Sequence, residues 1–386
     1  MHIPPFPFLH QALSLAEKSL FLSQPNPRVG CVLVSPQGNT LCQGHTQQAG
    51  GPHAEVMALR DAAKQGKSVL GATAYVTLEP CSHYGRTPPC CHALIEAKVA
   101  KVVIAVLDPN PLVAGKGVTL LRQAGIEVEV LPTNHPQAMA AKELMIGFFS
   151  RIVRKTPWVR VKIAASLDGY TALQNGQSQW ITSAAARDDG HAWRARAGAV
   201  LTGVGTILAD DPSLDVRAVP TQRQPHVVIV DSALRTPATA KIFTIKSIAA
   251  QAINTPARGI FIYTTSNDFV KKMALENAGA TVIVLPADDT SGIVNLRLMM
   301  QDLAKREVNE LHVEAGATLN GALISAGLVD EFLVYVAPKF LGVGRGMADL
   351  PVLADLNRAA AFEFVSVDKV GDDLRILGRI TALDAF

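Results

Sequence analysis

The chain has 386 residues, 48% of them hydrophobic and 18% charged, so it can form two or three domains of ~150 residues, and disorder is excluded. All five cysteines lie within the first 91 residues and no apolar run reaches ~20 residues, which excludes a disulfide scaffold and a membrane span and predicts a cytoplasmic protein. The net charge of +3 divides into +2 for residues 1–147 and +1 for residues 148–386, which argues against nucleic-acid binding and favours small-molecule substrates.

The first half alternates helices with strands. An amphipathic helix begins near Leu9 and ends before the turn at residues 25–27, and further helices begin near Pro52 and Pro89. Strands are predicted over residues 28–35, 40–45, 74–78, 101–106 and 126–130. This alternation predicts an α/β fold in which helices cover a mostly parallel sheet.

A break in the pattern at residues 148–157 predicts a linker, which divides the chain into domains at 1–147 and 158–386. The second half alternates again, and its last predicted strands follow one another without long helices. These strands cover residues 158–164, 200–203, 227–230, 259–263, 281–284, 311–313, 331–336, 362–369 and 373–380. We expect a second α/β domain that ends in an antiparallel hairpin.

A candidate metal site lies in the first half. His53 and Glu55 follow Pro52, which suits the first position of a helix, and Cys81 and Cys90 both follow prolines at strand–helix junctions. One imidazole and two thiolates suit Zn²⁺ and leave a fourth tetrahedral position for water. Glu55 is then a carboxylate that does not bind the metal and can move a proton from water to a leaving amine. Hydrolytic removal of ammonia from a pyrimidine or purine ring requires this division of roles.

The other donor residues have simpler interpretations. Cys31 and Cys42 lie within predicted strands, so we assign both to the core. Cys90 and its neighbour Cys91 are both within reach of a metal on sequence alone, and the choice between them stays open at this point. We expect none of the remaining histidines nearby to bind metal, namely His45, His83 and His92.

The stretch from Thr77 to Cys91, TLEPCSHYGRTPPCC, closely resembles the deaminase half of the bifunctional riboflavin-biosynthesis deaminase/reductase family. The stretches PNPRVG at 25–30, PHAEV at 52–56 and DPNPLVAG at 108–115 are similar to the same family. The resemblance implies a cytidine-deaminase-like three-layer domain with zinc held by His53, Cys81 and Cys90 and with Glu55 as proton shuttle. It also implies that three residues face the substrate, namely Asn26, His83 and Arg86.

The second half has no complete dinucleotide fingerprint. Gly203 and Gly205 match the first two glycines of the G-x-G-x-x-G pattern, but Leu208 occupies the third glycine position. The glycines between Gly342 and Gly346 are predicted to form a turn. The better candidate is the stretch from Val313 to Ala322, in which a strand ends in an acidic residue and small residues lead into a helix that could hold a phosphate.

Three further stretches resemble the reductase half of the same family: KIAASLDG at 162–169, SQWITS at 178–183 and LADDP at 208–212. The resemblance implies a dihydrofolate-reductase-like α/β domain that uses NADPH. It implies cofactor contacts at Ala164, Trp180, Thr206, Asp210, Ser232, Gly316, Ala317, Thr318, Leu319, Asn320, Gly321 and Ala322. It implies substrate contacts at Lys162, Ser178, Arg194, Leu214, Arg217 and Glu314, of which the arginines suit a ribose phosphate.

The resemblance therefore implies two consecutive reactions on phosphorylated pyrimidines, a zinc-dependent deamination and an NADPH-dependent reduction of the ribosyl group. We also expect the chain to form a homo-oligomer. Two other classes share part of the pattern. A nucleic-acid editing deaminase fused to an unrelated α/β domain shares His53, Glu55 and the cysteines, but the balanced charge disfavours it. A structural protein with a closed zinc site needs a fourth protein ligand and has no use for Glu55.

Overall fold

The computed structural model describes residues 6–84, 88–111, 113–244, 258–288 and 292–380, so Arg86 lies outside the described residues. The chain forms two compact units, Met1–Arg154 and Lys155–Phe386. Within the described ranges, every helix is too short or too polar to cross a bilayer.

The first unit is built on a five-stranded sheet in the order β2-β1-β3-β4-β5. Its strands are β1 (Gly30–Val34), β2 (Thr40–His45), β3 (Thr73–Val76), β4 (Lys101–Ile104) and β5 (Glu127–Val130). Its helices are α1 (Pro7–Glu17), α2 (Ala54–Lys64), α3 (Cys90–Glu96), α4 (Lys116–Gln123), α5 (Pro136–Leu144) and α6 (Ile146–Val153). Strand β1 is antiparallel to β2 and β3, whereas β3, β4 and β5 are parallel.

Two glycines show that helices cover both faces of this sheet. A Cβ atom on Gly30 would meet the Ala12 carbonyl oxygen of α1 at 1.9 Å, and one on Gly44 would meet the Ala54 carbonyl oxygen of α2 at 2.4 Å. Gly44 pairs with Cys31, the neighbour of Gly30, so the two glycines face opposite sides of the sheet. The three-layer arrangement predicted for this half is confirmed.

The second unit contains a nine-stranded sheet in the order β11-β10-β9-β8-β12-β6-β13-β16-β15. Its strands are β6 (Trp158–Ser166), β8 (Ala199–Gly203), β9 (His226–Val230), β10 (Ile260–Thr264), β11 (Ala280–Val284), β12 (Glu310–Val313), β13 (Glu331–Ala337), β15 (Glu363–Val370) and β16 (Asp373–Arg379). Its helices are α7 (Ala184–Arg196), α8 (Val204–Asp210), α9 (Phe269–Asn277), α10 (Leu296–Lys305) and α11 (Ala317–Ser325). A separate two-stranded sheet pairs β7 (Tyr170–Leu173) with β14 (Gly344–Gly346).

The strands from β11 to β13 along this sheet are parallel, whereas β16 and β15 add antiparallel to the edge. The predicted second α/β domain with a final antiparallel hairpin is therefore confirmed. Side chains alternating along β8 and β9 enter different apolar clusters: Leu201 and Val228 enter one, and Val200 and Val227 enter the other. Burial on both faces explains why these strands read as continuous apolar runs.

Two local predictions differ from the structure. Residues 148–153, assigned to a linker, lie within α6, in which Phe148 and Phe149 are buried. The stretch from Gly342 to Gly346, predicted as a turn, contains β14, because its backbone pairs with the strand that ends at Leu173.

Candidate functional site

Three predicted metal ligands meet in the first unit. The ligand atoms of His53, Cys81 and Cys90 all lie within 4.8 Å of one another. The Nδ1 atom of His53 is 3.6 Å from the Cys81 Sγ atom and 3.4 Å from the Cys90 Sγ atom. Ligand atoms around one tetrahedral zinc ion at ~2.0–2.3 Å lie ~3.3–3.8 Å apart. The donor set and its spacing therefore fit Zn²⁺.

Helix ends position these ligands. His53 has an extended backbone and is the N-cap of α2, which begins at Ala54; the expectation that Pro52 starts the helix is wrong by two residues. The His53 ring makes no capping hydrogen bond to the start of α2. Cys90 is the first residue of α3, one residue after the predicted start near Pro89, and its backbone N–H donates to the Cys81 sulfur at 3.3 Å. A helix N-terminus thus stabilises negative charge on Cys81.

The electrostatics favour a thiolate in this group. Hydrogen bonding to Cys90 is the largest of the influences that lower the pKa of Cys81 to about 4, and hydrogen bonding to His53 acts in the same direction. The thiolate is the form of cysteine that binds metals.

Glu55 lies two residues beyond His53 in the first turn of α2, and its side chain is buried. Burial raises the pKa of Glu55, and the nearby charge of Cys81 raises it further. A buried carboxyl group whose pKa is raised toward neutrality can both accept and return a proton.

The remaining cysteines serve the core. Cys31 and Cys42 are buried in β1 and β2, which confirms their assignment. The Cys91 thiol donates to the Pro80 carbonyl oxygen at 3.2 Å, and burial raises its pKa above the ordinary range. Among the described residues, the metal-ligand group contains Cys90 and lacks Cys91.

The predicted substrate contacts of this unit occupy loops. Asn26 lies in the turn before β1, where its backbone N–H donates to the Ser23 carbonyl oxygen at 2.8 Å. His83 lies two residues beyond Cys81, and its Nδ1 atom is buried without a hydrogen-bond partner among the described residues.

The sequence patterns assigned no role to Glu79, which holds the segment from Asp108 to Val118 by hydrogen bonds. Its carboxylate accepts backbone N–H groups from Asp108 at 3.3 Å, Gly115 at 3.0 Å and Val118 at 3.2 Å. Burial, aided by the charges of Glu79 and Cys81, raises the pKa of Asp108 to about 7. The signal for Glu79 was its position between a buried strand and a metal ligand, because an acidic residue there needs buried partners.

In the second unit, an ion pair joins two predicted substrate contacts. The Arg194 Nε and Nη2 atoms of α7 bind the two Glu314 carboxylate oxygens at 2.7 and 2.8 Å, and Nη1 donates to the Asp215 carbonyl oxygen. Burial alone would raise the pKa of Glu314, but Arg194 and His312 hold it well below its usual range. We expected Arg194 to bind phosphate with this fork of donors, whereas in the structure Glu314 occupies it.

The other predicted substrate contacts differ in exposure. The Arg217 side chain is 60% exposed and bonds to the Asp215 carboxylate at 2.9 Å. Lys162 on β6 is partly buried, and burial lowers its pKa while Glu314 opposes the shift. Leu214 is buried and its carbonyl oxygen accepts a hydrogen bond from Arg258, and Ser178 lies between β7 and α7.

Predicted cofactor contacts gather at one edge of the sheet. Ala164 lies toward the carboxyl end of β6, and Ser232 follows β9. Thr206 and Asp210 belong to α8, which follows β8. Strands β9, β8, β12 and β6 are adjacent and parallel, so their carboxyl ends share an edge. Ligands of open α/β sheets bind at that edge.

The stretch from Gly316 to Ala322 reaches the same edge, because it follows β12. Gly316 is the N-cap of α11, which begins at Ala317 and contains Leu319, Gly321 and Ala322. Thr318 and Asn320 hold the chain that follows: the Thr318 hydroxyl donates to the Asp349 carboxylate at 2.8 Å, and the Asn320 amide donates to the Met347 carbonyl oxygen at 3.0 Å. Trp180 is 62% exposed, and the Arg187 guanidinium lies 4.3 Å from the centre of its ring.

Two family models match the two halves. Residues 7–106 match the cytidine and deoxycytidylate deaminase zinc-binding region, and residues 157–376 match the RibD C-terminal domain.

Similar proteins extend over nearly the whole chain. Riboflavin biosynthesis protein RibD of Escherichia coli is 43% identical over 95% of this chain and 97% of its own length, and the Haemophilus influenzae protein is 42% identical over 96% and 95%. The structure of RibD from Acinetobacter baumannii has a TM-score of 0.83 at 40% identity, covering 97% of this chain and 98% of that chain. A deaminase/reductase structure from Thermotoga maritima has a TM-score of 0.82 at 30% identity, with the same coverage. The chain therefore belongs to the RibD family, and it is a zinc-dependent deaminase and an NADPH-dependent reductase of riboflavin biosynthesis.

Proposed function

We propose that residues 1–147 remove the 2-amino group of 2,5-diamino-6-ribosylamino-4(3H)-pyrimidinone 5′-phosphate, and that residues 158–386 reduce the ribosyl group of the resulting 5-amino-6-(5-phosphoribosylamino)uracil to ribityl. The division of the chain into two compact units supports this assignment. The observation that carries it is the convergence of three ligand atoms within 4.8 Å, with the buried Glu55 carboxyl two residues from one of them.

In the deaminase, His53, Cys81 and Cys90 hold the zinc ion. The ion, when bound, supplies a Lewis acid that acidifies water. Glu55 takes a proton from the attacking water and returns it to the departing amine, which leaves as ammonia. The raised pKa of Glu55 supports its role as the proton acceptor, because a higher pKa makes the carboxylate a stronger base.

Three residues orient the pyrimidine in this site: Asn26, His83 and Arg86. The unpartnered Nδ1 atom of His83 supports its role, because a buried polar atom without a partner is destabilising until a ligand pairs with it.

In the reductase, NADPH supplies the hydride and the protein positions it against the ribose. Arg217 binds the substrate phosphate, and its exposed guanidinium supports this role. Glu314, held in place by Arg194, orients the sugar together with Lys162, Ser178 and Leu214. The cofactor lies along the carboxyl edge of β9, β8, β12 and β6, against the residues assigned to it above.

We further propose that the protein is cytoplasmic, acts without nucleic acid and forms a homo-oligomer. The five free cysteines support a reducing compartment. The edge strand β15 carries exposed apolar side chains, with Phe364 at 67% and Val367 at 55% exposure, which supports pairing with a second copy.

The test uses Glu55→Gln in the full-length protein. We expect ammonia release from the diaminopyrimidinone to fall at least a hundredfold, while bound zinc stays at one ion per chain and reduction of the aminouracil continues. Glu96→Gln, on the exposed side of α3, is the matched control and should retain both activities. Normal deamination by Glu55→Gln would refute the proton-shuttle role, and deamination of an oligonucleotide by the wild type would favour the editing alternative.

A further inference from the structure

One face of α7 connects the predicted cofactor site with the predicted substrate site. Arg187, His191 and Arg194 are spaced by four and three residues, so their side chains lie on the same side of the helix. Arg187 stacks over the Trp180 ring at one end, and Arg194 binds Glu314 at the other. His191 therefore lies between groups that border the two ligands.

The His191 imidazole is 8% exposed, and its Nδ1 atom is buried with no hydrogen-bond partner among the described residues. Leaving a buried polar atom unpaired is destabilising. Functional sites tolerate such an atom when a ligand completes its hydrogen bonds. A ring without this restraint can also turn about its Cβ–Cγ bond, so either nitrogen can face a ligand.

Burial and two nearby positive charges keep the His191 ring neutral. Burial, aided by Arg194 and Arg217, lowers the pKa of His191 to about 4 against the opposing charges of Glu314 and Asp215. A neutral imidazole still has one N–H donor. It supplies that donor beside two arginines without adding a third positive charge.

The two arginines at this place have only part of their donors left for a phosphate. Glu314 occupies the Nε and Nη2 donors of Arg194, and the Arg217 Nη1 atom already bonds to Asp215. We propose that His191 is a substrate-contacting residue of the reductase, whose ring N–H donates to the phosphate ester of the substrate beside Arg217. This inference rests on the substrate site assigned to Arg217 and Glu314 under the proposed function.

The experiment measures the reductase KM for the phosphorylated aminouracil and for the same compound without its phosphate. We expect His191→Leu to raise the KM for the phosphorylated substrate about tenfold, since a hydrogen bond to a charged group is lost. The KM values for the dephosphorylated compound and for NADPH should stay unchanged. His191→Gln, which restores an N–H donor, should return the KM to within about threefold of the wild type, and Asp188→Asn on the exposed side of α7 is the control.

Arg217→Gln separates failure of this inference from failure of the proposed site. If Arg217→Gln raises the KM for the phosphorylated substrate and His191→Leu does not, the role of His191 is refuted. An equal rise for both substrates in His191→Leu also refutes it, because that result indicates a packing defect. If neither variant discriminates between the substrates, the phosphate site itself is wrong. Thermal unfolding of each variant establishes that it folds, and only variants that unfold near the wild-type temperature are compared.

Discussion

Glu79, which lies two residues before the metal ligand Cys81, accepts the backbone N–H of Gly115 with its carboxylate at 3.0 Å. A second Glu79 oxygen accepts the N–H of Val118, so one side chain caps the N-terminus of α4 from outside the helix. The Cys91 thiol also contacts the first turn of α4, because it donates to the Gly117 carbonyl oxygen at 3.7 Å. The turn that carries Cys81 and the start of α4 therefore form one hydrogen-bonded unit.

Replacing Glu79 should loosen this unit. Glu79→Gln exchanges one acceptor oxygen for a donor that faces backbone N–H groups, so we expect the free energy of unfolding of the first unit to fall by about 1–3 kcal/mol. Zinc release to a chelator should become faster, because Cys81 follows Glu79 closely. Urea denaturation and zinc-release kinetics measure both effects. Glu127→Gln is the control, since Glu127 is 68% exposed in its pair with Lys101 and should change stability by less than about 1 kcal/mol.

The adjacent cysteines should respond differently to replacement by serine. Cys91→Ser should keep about one zinc ion per chain, because the Cys91 thiol donates to Pro80 instead of facing His53. Cys90→Ser should lose most of the metal. Elemental analysis of the purified variants measures the difference, and the reverse pattern would contradict the ligand assignment.

The second unit buries a charged cluster centred on Arg160. This residue is 1% exposed and bonds to Glu310 at 3.0 Å and to Glu331 at 2.5 Å. Arg160→Met should destabilise the unit by about 3 kcal/mol, because it leaves two buried carboxylates with fewer cationic partners. Chemical denaturation followed by tryptophan fluorescence measures the loss. Lys272→Gln, in an exposed pair with Glu276, should change stability by less than about 0.5 kcal/mol.

His226 should make the second unit sensitive to acid. Its Nδ1 atom accepts the Gly259 N–H at 2.8 Å, and burial, aided by Arg223 and Arg258, lowers the pKa of His226 to about 4 from 6.5. Above pH 6.5 the ring is neutral in both states and its contribution is complete. As the pH falls from 6.5 toward 4, the unfolded chain binds the proton first, so about 3 kcal/mol of stability is lost.

Chemical denaturation at pH 7, 5.5 and 4.5 tests this linkage. His226→Asn keeps an acceptor for Gly259 but does not titrate, so its stability should fall less steeply with acid than that of the wild type. Equal pH slopes for the two proteins would show that His226 does not contribute.

Hydrophobic periodicity predicted the strands and helices whose buried side chains are apolar. The strands around Val200 and Val227 were identified because their side chains are buried on both faces of the sheet. Helix α7 was not identified by its residues, because its partly buried face carries His191 and Arg194 instead of a stripe of apolar residues. The burial of Arg160 on β6 could not be predicted either, since sequence patterning places charged residues at the surface.

The sequence alone determined the chemistry of the first half. His53, Glu55, Cys81 and Cys90 lie at the ends of elements whose boundaries are marked by prolines, so their local positions follow from short-range rules. The family resemblance implied Cys90 and not Cys91, and the structure agrees with that choice. Only the tertiary structure decided that Glu79 anchors α4 and that Glu314 occupies the donors of Arg194. These choices depend on contacts between residues distant in the chain, and burial makes such contacts necessary because an unpaired polar group in the interior is destabilising.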